Sequence, residues 1–128
     1  MPKRRTSVAD GALARVRAIC LAFPEAEEKI SHGAPTFHVR GKTFVMFLND
    51  HHGDGRLAIW CKASFDAQHA LVSSDPDRYF VPPYVGKSGW VGVRLDRKKS
   101  DWPGVRAIAE DGWRMIAPKR LLGRSQVG

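Results

Sequence analysis

The sequence contains no long apolar run, and this absence excludes a membrane-spanning helix. Only two of its 128 residues are cysteines, Cys20 and Cys61, which lie far apart in the chain among apolar neighbours. A disulfide-dense scaffold is therefore excluded. We expect two buried thiols, with one disulfide as the alternative, in a cytoplasmic protein without a signal peptide.

Acidic residues are absent from residues 1–7 and 119–128, although each of these segments carries three cations. The net charge of +8 is concentrated there, because the 13 acidic residues between them nearly balance the remaining cations. With 43% hydrophobic and 27% charged residues, the composition is that of one globular domain. We predict a single domain over 8–118 between two basic tails.

The first half of the chain predicts one helix followed by a meander of strands. Apolar residues recur at helical spacing over 8–23, where Ser7 is the predicted N-cap and Pro24 the end. Alternation predicts a strand over 36–40, and residues 43–48, which are apolar on both faces, predict a central strand. A further strand is predicted over 56–62, and residues 25–30 could add an edge strand. Gly41-Lys42 is the predicted hairpin turn, and residues 49–55 form a long polar turn.

The second half predicts a short helix over 64–73 capped by Ser64, two strands over 79–81 and 90–95, and a last helix capped by Asp101. No alternation of strand and helix typical of parallel sheets occurs. The predicted fold is therefore α+β, with one antiparallel sheet and helices packed on one face, in the order α-β-β-β-α-β-β-α. The four tryptophans are expected in the core.

No motif for a cofactor or a catalytic centre is recognisable. His51 and His52 are adjacent in a turn and lack a third ligand at suitable spacing, so we predict no metal site. Gly86, Gly89 and Gly92 precede a strand instead of opening a helix, which fits neither a P-loop nor a dinucleotide fingerprint. We expect no cofactor and no catalytic residue, and the chain leaves enzymatic activity undecided.

A set of cations on hairpins, loops and the C-terminal segment favours nucleic-acid binding. Lys and Arg at hairpin tips and loops can contact the phosphates of DNA, with low sequence specificity because no recognition helix is evident. The residues predicted to do so are Arg40, Lys42, Lys87, Arg94, Arg97, Lys98, Lys99, Lys119 and Arg120.

The alternative interpretation is a protein- or small-ligand-binding module. Aromatic and basic residues in and beside the run 79–90 could occupy the sheet face opposite the helices and hold a peptide or a small anion. The residues predicted for this face are Lys62, Arg78, Tyr79, Tyr84 and Trp90. Exposure of these aromatic rings distinguishes the two interpretations.

Several runs together resemble the MmcQ/YjbR family over roughly residues 8–121. They are EKISHGAPTF at 28–37, WCKA at 60–63, DPDRYFVPPYVG at 75–86, GWVGVRLD at 89–96 and APK at 117–119. The resemblance implies a compact α+β fold likened to secretion chaperones and to the frataxin-like double wing. It also implies DNA binding, with wings at 40–42 and 49–55, and no catalytic residue.

Overall fold

The computed structural model describes residues 2–97 and 99–123, with side chains from residue 8 onward. Three helices and six strands are present. The helices are α1 (Pro2–Cys20), α2 (Phe65–Ser74) and α3 (Trp102–Ile116). The strands are β1 (Glu27–Ser31), β2 (Ala34–Val39), β3 (Lys42–Asn49), β4 (Leu57–Cys61), β5 (Tyr79–Phe80) and β6 (Val91–Arg94).

All six strands form one antiparallel sheet in the order β1-β2-β3-β4-β6-β5. The predicted α+β fold is confirmed, and the suggested edge strand is present as β1. α1 and α3 pack on one face and α2 lies beside them, so their apolar side chains join a single core with the inward side chains of the strands. No α-helix of the described residues packs on the opposite face, and we call it the open face.

Trp113 holds the centre of the helix-side core. Its side chain is fully buried and its Nε1 donates a hydrogen bond to the Pro24 carbonyl, 3.1 Å away. Cys20 and Cys61 are buried in the same core as free thiols, as predicted. Of the other tryptophans, Trp60 and Trp90 are buried on the open face and Trp102 is half-buried.

Two local predictions are wrong by a few residues. α1 begins at Pro2, so Ser7 lies inside the helix instead of capping it. The first hairpin turn is Arg40-Gly41, since Val39 pairs with Lys42 and both turn residues have positive φ (51° and 81°). Positive φ at both central positions matches the right-handed twist of the paired strands.

The predicted caps of the later helices are confirmed. The Ser64 hydroxyl accepts from the Ala67 N–H at 3.1 Å, and the Asp101 carboxylate accepts from the Gly104 N–H at 3.0 Å. After α3 the chain packs back on the domain, because Leu121 is fully buried in the core. Within the described residues, no helix combines the length and apolarity needed to cross a bilayer.

Candidate functional site

The cations predicted to bind DNA lie in two groups at opposite ends of the sheet. Arg40 and Lys42 occupy the β2–β3 hairpin, whereas Arg94 is in register with Ala58 and, through it, with Leu48. At ~3.3 Å per residue along β3, Lys42 lies about 20 Å from Leu48, the residue of this strand that is level with Arg94. The structure therefore brings these cations to two separate surfaces.

One group surrounds Glu25 and joins residues from distant parts of the chain. Arg40 Nε lies 2.9 Å from one carboxylate oxygen of Glu25, and Arg120 Nη2 lies 3.1 Å from the other. The hydrogen bond from Arg40 holds the pKa of Glu25 below its ordinary value. Lys42 and Lys119 are exposed beside this cluster, and neither has an ion pair with any described residue. We call these four cations the basic corner.

The arginines of the second group are paired with carboxylates, as Arg40 and Arg120 of the basic corner are. Arg94 binds Asp96 through two hydrogen bonds of 3.0 Å, and Arg97 lies 3.0 Å from Asp77. A cation held by a carboxylate must give up that partner before it can contact a phosphate. Lys87 and Lys99 are exposed, and Lys98 lies outside the described residues.

The residues of the alternative interpretation divide between the two faces. Tyr79 packs against the helix-side core, where burial raises the pKa of its hydroxyl. Arg78 pairs with Asp75 at 3.5 Å. Trp90 is buried on the open face with the Lys62 ammonium 6.0 Å from its ring centroid, and Tyr84 is 69% exposed. Tyr84 is the predicted residue that borders a cavity on this face.

A cleft of about 600 Å³ lies on the open face over β2, β3 and β4. Ala34, Met46 and Leu48 supply apolar surface from the strands. The rest of the lining comes from imidazole, indole and phenol rings and from the hydroxyls of Ser31, Thr36 and Thr43. Among the described residues that line it there is no Asp, Glu, Lys or Arg. The volume lies in the range of small-molecule sites, whose walls are mostly apolar with a few polar groups.

The loop between β3 and β4 folds back to complete this cleft. Asp50 accepts a hydrogen bond from the Gly55 N–H at 2.7 Å, and Asp54 accepts one from the Arg56 N–H at 2.9 Å. Such bonds between a side chain and the backbone stabilise turns, where the backbone groups have no partner on a neighbouring strand. They place the His51 ring edge-on against the Trp60 indole, with centroids 4.9 Å apart and planes at 77°.

Two residues that line the cleft hold buried ring nitrogens without a hydrogen bond to any described residue. These atoms are Trp60 Nε1 and His51 Nε2, and outside the cleft the same is true of His38 Nδ1 and Arg97 Nε. A buried donor left unpaired costs roughly 1–3 kcal/mol, so most such groups are satisfied in native proteins. Unpaired groups of this kind are a recurrent feature of sites that hold a ligand.

Tyr84, at the edge of the cleft, has a strained backbone. Its φ of 63° and ψ of −66° form a γ-turn, in which the Val85 N–H donates to the Pro83 carbonyl at 2.6 Å. This conformation is rare for a residue with a Cβ and costs on the order of 1–3 kcal/mol. The turn presents the tyrosine ring to solvent, 6.4 Å from the His51 ring centroid.

A family model described as YjbR matches residues 21–115, most of the chain. The chain belongs to the YjbR family. The fold is also similar to the crystal structure of Deinococcus radiodurans protein DR2400, which has a DUF419 domain. The TM-score is 0.67 at 17% identity, over 88% of this chain and 85% of that chain. None of the curated proteins matches the chain.

Membership of the YjbR family confirms the resemblance found in the sequence, but the residues of the cleft were missed. Trp60 was assigned to the core and His51 to a solvated turn. The pair His51-His52 between two strands was the available signal. Its interpretation needed the fold of the loop, which depends on Asp50 and Asp54 bonding within it.

Proposed function

We propose that this YjbR protein is a binding module that holds a small molecule in the cleft on its open sheet face. The single observation that carries the proposal is a cavity of about 600 Å³ in which two lining residues, Trp60 and His51, each hold a buried ring nitrogen with no hydrogen bond to a described residue. A ligand that reaches them after a small movement of the His51 ring gains two hydrogen bonds that no described residue supplies.

Three features favour binding over catalysis at this place. The described lining residues include neither a carboxylate nor a thiol. No group of three His, Cys, Asp or Glu side chains suited to a metal ion occurs among the described residues. The two cysteines are buried on the other side of the sheet, where burial raises the pKa of both thiols. The lining also contains three hydroxyls and three imidazoles, but no hydrogen bond among the described residues joins one of these hydroxyls to one of these imidazoles, which is the pairing that activates a nucleophile.

Binding of an uncharged solvatochromic dye, Nile red, tests the cleft. We expect one dye molecule per chain and a blue-shifted emission. Met46→Trp fills the cleft from β3 and should weaken dye binding at least tenfold. The matched control is Ala107→Trp, which adds the same side chain to an exposed position of α3 that lines neither this cleft nor the apolar groove between α1 and α3. Equal binding by both variants, or no binding by the native protein, would refute the proposal.

DNA binding is a second candidate function, favoured by the gathering of Arg40, Lys42, Lys119 and Arg120 at the basic corner. Phosphate contacts from the two lysines of the corner, which have no ion pair with a described residue, would lower log K by roughly 1.8 per unit of log salt concentration. Fluorescence anisotropy with labelled duplex DNA at several salt concentrations measures this slope.

Two double variants separate the two cation groups. Lys42→Gln with Lys119→Gln removes half of the basic corner and leaves the ion pairs of Glu25 intact. Lys98→Gln with Lys99→Gln removes the same charge from the turn after β6. Binding through the corner predicts a reduced slope in the first variant alone. The DNA candidate is rejected if duplex DNA does not bind, and its site is reassigned if the second variant alone loses binding.

A further inference from the structure

We propose that the occupant of the cleft is an uncharged nitrogen heteroaromatic compound of one or two fused rings. This inference rests on the proposed binding function and adds the chemical class of the ligand. Charge is the first argument. The described lining residues provide no ammonium, guanidinium or carboxylate, and the imidazoles of His32, His51 and His52 neutralise no ion in their uncharged form. Moving an unpaired charge from water into such a site is strongly unfavourable, whereas an uncharged ring carries no such penalty.

The rings around the cleft favour a flat ligand. The His51 ring stands at 77° to Trp60 and at 88° to Tyr84, so it meets each of these two larger rings in a T-shaped arrangement. Tyr84 is 69% exposed and its ring face is accessible to stacking. Aromatic pairs prefer offset-stacked or edge-to-face contacts with centroids 4.5–7 Å apart. A planar ligand can make an offset-stacked contact with one of these rings and an edge-to-face contact with another.

The polar atoms of the cleft favour nitrogen in that ring. Trp60 Nε1 is a donor only, and His51 Nε2 accepts or donates according to its tautomer. Thr36 Oγ1 donates to the Lys29 carbonyl at 2.9 Å and therefore keeps its lone pairs for an incoming donor. Heteroaromatic rings carry in-plane acceptors and N–H donors along the same edge. A hydrocarbon of the same shape would leave the buried groups unpaired.

The conformation of Tyr84 supports a role in holding the guest. The two residues before it, Pro82 and Pro83, restrict the backbone that enters the γ-turn. A glycine would adopt the positive φ at Tyr84 without strain, yet the chain carries a large ring there. The ring makes few contacts of its own, since it is mostly exposed. We assign it to stacking on the ligand.

Displacement of Nile red from the full-length protein by three probes tests the inference. The probes are benzimidazole, indene and benzoate, measured at a pH where benzimidazole is neutral. Benzimidazole and indene have the same fused ring outline, and only the first has ring nitrogens. Benzoate is flat and carries a negative charge. We expect benzimidazole to displace the dye at a concentration at least tenfold below that needed with either of the others.

Two variants then identify the contacts. Trp60→Phe keeps a ring and removes the indole N–H. It should therefore weaken the binding of benzimidazole about tenfold and leave the binding of indene unchanged. Tyr84→Gly removes the stacking ring and should weaken the binding of both benzimidazole and indene. Tyr84→Phe keeps the ring and should bind both compounds as the native protein does. Should Trp60→Phe fail to fold, the Tyr84 pair still tests the stacking contact.

The outcomes separate this inference from the proposed function. Nile red binding that Met46→Trp removes, together with equal displacement by benzimidazole and indene, overturns the heteroaromatic ligand and keeps the cleft as a binding site. Preferred displacement by benzoate likewise overturns the inference alone. Absence of dye binding in the native protein overturns both.

Discussion

Phe80 covers Gly92 on the open face of the sheet. The two residues are paired in register between β5 and β6, and a Cβ atom at position 92 would overlap three atoms of the phenyl ring. The Arg56 guanidinium lies on the same ring, 4.1 Å from its centroid. The absence of a side chain at Gly92 therefore lets the Phe80 ring lie directly on the backbone of β6.

Gly92→Ala should lower the free energy of unfolding by about 1–3 kcal/mol, because the Phe80 ring must move away from the sheet. Urea unfolding followed by circular dichroism measures the change. Gly11→Ala is the matched control, since a Cβ there meets no atom within 4 Å and the residue lies inside α1. That variant should gain about 0.5–1 kcal/mol. A loss of stability in the control equal to that in Gly92→Ala would contradict the explanation.

Tyr84→Gly should raise the free energy of unfolding by about 1 kcal/mol, although it is expected to weaken ligand binding. Glycine removes the strain at positive φ, and its greater entropy in the unfolded chain offsets part of the gain. Tyr84→Ala keeps a Cβ at the same φ and should show no gain. Urea unfolding of both variants is the measurement. A similar stability for glycine and alanine would show that strain at this residue is negligible.

The thiols of Cys20 and Cys61 should not react with iodoacetamide in the folded protein at pH 8. Burial raises the pKa of both thiols, so the reactive thiolate is scarce as well as inaccessible. Mass spectrometry should show two added groups in 8 M urea and none in buffer. Because the folded pKa is raised above the unfolded value of about 8.5, the folded state keeps its protons longer and stability should fall as pH rises above that value. Rapid labelling in buffer would contradict the packing of these residues.

Asp96→Asn should lower the free energy of unfolding by about 1–2 kcal/mol at pH 7, because the carboxylate accepts hydrogen bonds from Arg94 and the Leu57 N–H. Burial of Asp96 acts to raise its pKa, but these bonds together outweigh burial and leave the pKa below its ordinary value. The stabilisation is therefore present above about pH 4 and is lost as pH falls through the lowered value.

Urea unfolding between pH 7 and pH 3 measures that dependence. The difference between native protein and Asp96→Asn should shrink as the pH falls below about 4. Asp111→Asn, at an exposed carboxylate on α3, is the control and should show a small difference at every pH. A difference for Asp96→Asn that stays constant down to pH 3 would show that charge at this residue contributes little.

The helices and most strands could be predicted because their signals lie within a few residues. The apolar stripe of α3 includes Val105, Ala109 and Gly112, all buried as the spacing indicates. Ser64 and Asp101 cap their helices three residues ahead of the N–H groups that they bind. Alternation over 36–40 places His38 on the strand face opposite Phe37 and Val39, and the structure shows that residues of both faces are buried there. The open face carries its own apolar cluster, which alternation on one strand does not reveal.

The pairing of charges could not be predicted in the same way. The nine cations are grouped in the sequence analysis by their predicted positions on hairpins, loops and the C-terminal segment, and the structure separates Lys42 from Arg94 by most of the length of β3. Glu25 instead joins Arg40 to Arg120. Contacts between distant residues depend on strand register and on how the chain returns after α3.

Local periodicity, capping residues and turn chemistry were enough to establish an α+β domain with one antiparallel sheet, and characteristic runs were enough to establish its family. Periodicity, capping and turn chemistry each depend on neighbours two to four residues apart. The cleft was decided by tertiary structure alone, because it requires the loop of His51, the γ-turn of Tyr84 and the Trp60 strand to meet on one face. No local pattern encodes that meeting, since it follows from the packing of the whole sheet.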